Sequence, residues 1–469
     1  MDAKELKDNL SYRNRSAFEN ITEDELDRSF AFAEGYKLFL DIAKTEREAV
    51  KYGIKMAERR GYVEYELGDP MEPGGRYWCS NRHKALYLIK MGEEPLENGV
   101  YILAAHVDSP RLDLKQNPLY EDGGLGMLKT HYYGGIKKYQ WTAVPLALHG
   151  VVIRADGTKV DVCIGEDEDE PVFYISDLLP HLAKDQMSKS LAEGITGEGL
   201  NIILGSEPYR EEEQGEPREA PSDGAIKLNL LRILNSKYGI VEEDFLTAEL
   251  TAVPALKARD VGLDRSLIAG YGHDDRCCAY PEMTALFDSD NTDKTVIVVF
   301  ADKEEIGSIG VTGMQSRFFT DILQEMCEQR GANYRVVKAH SKCLSADVNN
   351  AHDPNFPEVD DRRNASMINC GVAVCKFTGA RGKSGTSDAT SEFASEIRSL
   401  FNRAGVVWQM AELGKIDQGG GGTVAMYIAN HNIDTIDVGV PVLSMHAPYE
   451  VISKLDLYMT YKAFLAFVS

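Results

Sequence analysis

The stretch Thr295-Val296-Ile297-Val298-Val299-Phe300-Ala301-Asp302-Lys303-Glu304-Glu305-Ile306-Gly307-Ser308 decides how this chain folds. Residues 295–300 are an uninterrupted β-branched and aromatic run, the pattern of a strand buried on both faces. Two adjacent carboxylates, Glu304 and Glu305, follow it and lead into a glycine-containing turn. In open α/β sheets the end of a buried strand is where ligands bind. Neighbouring side chains leaving a strand end point apart, so one carboxylate can hold a cation while the other faces a water beside it. The plainer reading is an acidic turn that solvates a strand end.

Outward from that stretch, strands are expected at 84–89 and at 100–105, the second ending at His106. More are expected at 334–339, 368–377, 406–411 and 437–444. Helical patterns cover 24–60, with Thr22 and Glu25 spaced as a capping box, and also 310–330 and 388–404. This βα alternation predicts an α/β fold with a mixed central sheet covered by helices. Between 113 and 255 the texture changes. Short strand-like pieces at 142–148, 151–153 and 160–164 are separated by turns such as Asp156-Gly157, and residues 207–223 read as a polar exposed loop. We read 113–255 as an inserted, mainly β second domain that splits the α/β domain into 1–112 and 256–469.

The totals agree with that class. A chain of 469 residues is too long for one ordinary core. A formal net charge of −23 argues against nucleic acid and against an anionic membrane as partners. No apolar run approaches the ~20 residues of a membrane span, and the N-terminus has no apolar signal core. Eight cysteines without a CxxC pair read as buried reduced thiols, and a cytoplasmic location is expected.

Five segments carry metal-ligating chemistry: His106-Val107-Asp108-Ser109-Pro110, Gly272-His273-Asp274-Asp275-Arg276, Glu304-Glu305, Ser345-Ala346-Asp347-Val348 and Ser444-Met445-His446-Ala447-Pro448. Two imidazoles with three or more carboxylates form the mixed N/O set that suits divalent Zn, Mn or Co. Asp108, two residues along an extended chain from His106, can steer that ring. Each segment also has a bland reading. His106 can be structural, Asp274-Asp275 a helix cap, Asp347 a turn cap, and His446 a ring that satisfies a loop carbonyl. Those readings leave unexplained why all five end strands of one expected sheet. No nucleophile elbow is present, because Gly382-Lys383-Ser384-Gly385 lacks the spacing. The run Gln418-Gly419-Gly420-Gly421-Gly422-Thr423 is no phosphate loop, and suits a close backbone approach or a tight turn before a helix.

In this order, the segments resemble the dinuclear zinc aminopeptidases of the aspartyl aminopeptidase / aminopeptidase I family. The matching runs are Ala105-His106-Val107-Asp108-Ser109-Pro110, Asp274-Asp275, Asp302 to Ser308, Ser345-Ala346-Asp347 and Ser444-Met445-His446. The resemblance extends over nearly the whole chain, middle insertion included. It implies a zinc exopeptidase-like fold and a metalloaminopeptidase that hydrolyses the N-terminal peptide bond of peptides. Two divalent ions per subunit are implied, zinc first, with cobalt or manganese as alternatives. His106 and Asp347 would hold one ion, Glu305 and His446 the other, and Asp274 would bridge them; Asp275 is not needed as a ligand. Glu304 would be the general base toward a water between the ions, and Asp108 the carboxylate that orients His106. His181 resembles a histidine that reaches a neighbouring subunit's active site, and His352 one near the substrate pocket. Lys376 and Lys383 are candidates for meeting acidic substrate side chains, with solvated lysines as the plainer reading. The glycine run departs from the members that prefer acidic residues, which puts that preference in doubt. A large homo-oligomer, a dodecamer, is implied, with the insertion supplying contacts. The alternatives are a related dinuclear amidohydrolase or carboxypeptidase, and a non-catalytic assembly protein on the same fold.

Overall fold

The buried run at 296–301 is an interior strand of a nine-stranded sheet in a computed structural model that describes residues 2–19, 21–210 and 223–469. In chain order its strands are β1 (Val63–Glu64), β2 (Arg76–Asn81), β3 (Ala85–Lys90), β4 (Tyr101–His106), β5 (Val296–Ala301), β6 (Lys342–Ser345), β7 (Val372–Cys375), β8 (Trp408–Met410) and β9 (Asp434–Gly439). Their spatial order is β1-β2-β3-β5-β4-β6-β9-β7-β8. Strand β5 runs parallel to β4, with Ala301 opposite His106, and β4 runs parallel to β6, with Ala104 opposite Ser345. Three strands therefore end on one edge, and the residues that follow them gather there. Every residue of β3 and β5 is buried, as strands covered by helices on both faces must be. The sheet is mixed, because β3 pairs antiparallel to β5 and β7 antiparallel to β9.

The chain divides into two compact units: Met1–Asp108 with Ala258–Met445 and Glu450–Ser469, and Ser109–Lys257 with His446–Tyr449. The first also holds a five-stranded sheet built from Arg259–Val261, Leu267–Gly270, Glu450–Ser453, Pro441–Leu443 and Asn349–Asn350. Its hydrophobic core joins Phe39, Leu86, Leu103, Val298, Phe300 and Phe464. The second unit is a seven-stranded, largely antiparallel sheet around the long hairpin Arg111–Asp122 and Leu125–Tyr133, with the helix Ala225–Tyr238 beside it. Leu230 of that helix lies where a Cβ on Gly126 or Gly205 would collide with it, which explains two glycines inside strands. No helix among the described residues is long and apolar enough to cross a membrane.

Several expectations need correction. Residues 334–339 are not a strand but part of the helix Tyr334–His340, started by Asn333, whose side chain accepts from the Arg335 N–H. Tyr, Val and Val gave this segment a β-like composition, and the cap outweighed it. The pattern over 24–60 is two helices, Glu23–Ile42 and Glu46–Arg59, broken where Thr45 and Glu48 form a full capping box. The helix expected from 310 begins only at Phe318. The five ligand segments do not all end strands of one sheet. His106, Glu304-Glu305 and Asp347 follow β4, β5 and β6, whereas Asp274 and His446 follow strands of the five-stranded sheet. The strand before Asp274, Leu267–Gly270, has four residues including a glycine and gives almost no sequence signal. Cys163 is exposed rather than buried, because its strand alternates outward and inward and places it on the outer face. Residues 211–222 of the expected polar loop lie outside the described residues.

Candidate active site

His106 ends β4 with its ring buried. Its Nδ1 donates to the Asp108 backbone carbonyl at 3.0 Å, which turns Nε2 outward from the strand end. That Nε2 lies 3.0 Å from Asp274 Oδ1, 3.9 Å from Asp347 Oδ1 and 3.9 Å from Glu304 Oε2. His106, Asp274 and Asp347 each present a ligand atom within 4.8 Å of the others. This cluster lies wholly within the first unit.

Glu304 and Glu305 sit in a one-turn 3-10 helix, Glu304–Ile306, entered through Lys303 at φ 68° and left through Gly307 at φ 94°. The turn is held from beneath. The fully buried Asp108 carboxylate accepts the backbone N–H of Glu304 at 3.1 Å and of Glu305 at 3.2 Å. Asp108 is thus a clamp on the acidic turn as well as a neighbour of His106. From the other side, the Gln315 amide and the Tyr427 hydroxyl both donate to the Gly307 carbonyl, at 2.8 and 3.3 Å. The next buried layer is Asp302, bonded to the Thr312 hydroxyl and 4.0 Å from Lys84, which pairs with Glu46 at 2.9 Å.

Asp274 opens the helix His273–Asp288, and its N–H is accepted by Glu450 at 3.1 Å. His273, beside it in sequence, takes no part: its ring is bound by Tyr36 at 2.7 Å and Ile268 O at 3.2 Å. Burial lowers its pKa to about 3, so it is neutral. Asp275 is buried below, its carboxyl raised far above the ordinary range by burial and then by Cys278.

The charge balance of this cluster is one-sided. Burial alone would keep His106 neutral, yet its bonds to Asp108 and Asp274 and the charge of Asp347 raise it well above the ordinary imidazole value. Asp347 is pushed upward by burial and by the nearby Glu304 carboxylate. Close carboxylates in a low-dielectric site repel unless a cation lies among them. A borderline imidazole and hard oxygen donors, converging within coordination reach, fit a divalent ion such as zinc.

Other expected residues come from other segments of the chain. His446 belongs to the second unit, in the loop 446–449. It adopts φ 64°, and its Nδ1 donates to the Gly135 carbonyl at 2.7 Å. His181 is exposed in the 3-10 turn Pro180–Leu182 of that unit. His352 is bound through Nδ1 to Asp360 at 3.0 Å. Lys376 and Lys383 share Asp388, at 2.7 and 2.8 Å, and Lys383 also covers the Phe377 ring at 3.9 Å. The glycine run approaches the chain's own backbone: Gly420, at φ +107°, leaves only 2.5 Å between a would-be Cβ and Ala380 Cα, and Gly421 N–H bonds Thr378 O. Sequence reasoning missed Glu450 and Tyr427, which hold the site from elements far away in the chain, and Gln315, eight residues beyond Gly307; none carries a local motif.

An α/β sheet with imidazole and carboxylates gathered at its carboxyl edge is the frame of a metal-dependent hydrolase. The family model for the aminopeptidase I zinc metalloproteases, M18, matches residues 39–468. A probable M18 family aminopeptidase 1 of Clostridium acetobutylicum is 47% identical over 472 residues, 99% of this chain and 100% of that one. The crystal structure of an M18 aminopeptidase from Thermotoga maritima superposes with a TM-score of 0.91 at 42% identity, covering 98% of this chain and 100% of that chain. That of aminopeptidase I from Clostridium acetobutylicum gives 0.90 at 45%, with the same coverage. The chain belongs to the M18 family and is a zinc metalloaminopeptidase.

Proposed function

We propose that the M18 activity is carried out here on peptides by two divalent ions, with His106 and Asp347 on one, Glu305 and His446 on the other, and Asp274 shared. The observation that carries this is the convergence of His106, Asp274, Asp347 and Glu304 on one buried point at the edge of the sheet. Both imidazoles use Nδ1 on a backbone carbonyl, Asp108 O and Gly135 O. That bond fixes Nε2 as the ligand nitrogen in each, the arrangement that supports metal-binding histidines. When bound, divalent cations acidify an attacking water and polarise the scissile carbonyl. Glu304 takes the water's proton and delivers it to the leaving amine. Asp108 keeps Glu304 in reach by its two bonds to the turn.

The remaining roles rest on the resemblance. His352 borders the substrate, and His181 completes a second copy's site within a large homo-oligomer, a dodecamer. In support of self-association, Leu178, Leu179, Leu182, Met187 and Leu191 around His181 are all exposed. Residues 113–255 supply that contact, and the location is the cytoplasm. Lys376 and Lys383, engaged by Asp388, meet an acidic substrate side chain only by leaving that carboxylate.

The deciding experiment pairs Glu304→Gln with metal analysis. Glu304→Gln is expected to keep its metal content and lose at least ~10²-fold in kcat. His106→Ala and Asp347→Ala are each expected to lose the same single equivalent. Full turnover in the first variant, or two full equivalents in the other two, refutes the assignment.

A further inference from the structure

A cavity of about 380 Å³ opens between the helix Phe318–Arg330, the helix Tyr334–His340 and the end of the helix Val424–Ala429, and none of its lining residues belongs to the catalytic cluster. Its lining includes Arg317, Lys338, His431, Tyr334, Tyr427 and Gln315. Among the described residues no carboxylate lies within ion-pair distance of Arg317 or Lys338, and Asp321, one turn along from Arg317, pairs with neither, in a chain whose net charge is −23. Both cations bear on one ring. Lys338 Nζ sits 4.5 Å over Tyr334, and Arg317 pulls down a phenol that burial raises. Burial and then the Lys338 charge lower His431, which leaves it a neutral partner for hydrogen bonding.

Two unmatched cations beside two phenol rings and amide groups describe a ligand with an anionic head and a planar, polar-edged body. The volume falls within the ~300–1,000 Å³ of small-molecule sites, and inorganic phosphate would leave most of it empty. We propose that this cavity is a regulatory site for a nucleoside phosphate, its phosphoryl group held by Arg317 and Lys338 and its base against Tyr334 and Tyr427. The link to turnover is short. Tyr427 and Gln315 line the cavity and also donate to the Gly307 carbonyl, whose own N–H bonds Glu304 O at 2.9 Å. A ligand that displaces either side chain moves the turn bearing Glu304 and Glu305. Binding is independent of the catalytic reading above; the coupling rests on Glu304 being the base.

The test is calorimetric titration of the full-length, metal-loaded protein with adenosine monophosphate, inorganic phosphate and adenosine. A monophosphate is used because it chelates divalent ions weakly. Adenosine monophosphate is expected to saturate and to bind at least ~10-fold tighter than phosphate or adenosine. Arg317→Ala and Lys338→Ala should each weaken it by ~10-fold or more, with peptide turnover in its absence unchanged. Adenosine monophosphate should change wild-type kcat by at least ~2-fold, and Tyr427→Phe should retain binding while losing that response. No saturable binding, binding no tighter than phosphate, or undiminished binding in both cation variants overturns the site. Binding with unchanged wild-type turnover overturns the coupling, and calorimetry reads the binding even if Glu304→Gln disproves the base.

Discussion

Asp108→Asn separates orientation from coordination in this site. The wild-type carboxylate is fully buried and accepts two backbone bonds, from Glu304 N and Glu305 N at 3.1 and 3.2 Å. An asparagine keeps one oxygen for one of these donors and turns an NH2 group on the other, which then has no acceptor. Losing one charge-assisted bond in a buried site costs about 1.5–3 kcal/mol. Expressed entirely in the transition state, this is roughly a 10- to 150-fold loss of kcat/KM at 1.36 kcal/mol per decade. The His106 ring should keep its orientation, since its Nδ1 donates to the Asp108 backbone carbonyl, which the substitution leaves in place, although it loses the carboxylate charge 3.4 Å from Nδ1. The expected phenotype is a kcat defect with a much smaller loss of metal affinity. Steady-state peptide hydrolysis at saturating metal, with metal dissociation constants measured beside it, reads both quantities. A variant with wild-type kcat, or one whose whole defect disappears with added metal, refutes the clamp.

Three further outcomes follow from other parts of the chain. Burial pushes the Asp456 carboxyl up to about 8, against the pull of the Asn369 and Gly371 N–H groups. The folded state then keeps a proton that the unfolded state releases, so this contribution to stability is present below about pH 4 and is lost as pH climbs toward 8. Urea midpoints should fall over that range by up to ~5 kcal/mol equivalent, and Asp456→Asn should flatten the fall; parallel pH profiles for the two proteins exclude the effect. Gly420→Ala should lower the urea midpoint by ~1–3 kcal/mol equivalent, because its Cβ meets Ala380 Cα at 2.5 Å at φ +107°. Gly421→Ala, with nothing within 4 Å of the added carbon, is the control, and equal midpoints would dismiss the close approach. Asp388→Asn releases Lys376 and Lys383 and should raise kcat/KM for peptides beginning with Asp or Glu several-fold relative to Ala, unless neither lysine faces the substrate.

What the sequence reveals here depends on how local the cause is. The run at 296–301 needs no partner to be recognised, and the turn after it advertises itself through Glu304, Glu305 and Gly307. The helix Tyr334–His340 defeats composition because only Val337 is buried, so its apolar residues carry no helical stripe. The second sheet is hidden for another reason. Its strands of two to four residues come from regions as distant as 259 and 453, and even the neighbours that pair, 259–261 with 267–270 and 441–443 with 450–453, are too short to show a period. Asp274 therefore looks like an ordinary helix cap until Glu450, 176 residues away, is seen to accept its N–H.

The acids of the catalytic cluster make sense only as a set that opposes folding. Asp274, Asp275, Glu304, Asp347 and Asp108 crowd around the His106 imidazole, and burial raises Asp347 and Asp275 against ionisation. A chain selected for stability alone would not gather them, because each ionised carboxylate moved from water into that pocket is costly unless paired. The scaffold tolerates the cost by placing the cluster at the edge of a sheet whose interior strands 85–90 and 296–301 are entirely buried, and by anchoring the turn with backbone bonds to Asp108. A cation bound among these groups would relieve the repulsion that folding creates, so affinity for the ion and stability of the site draw on the same free energy.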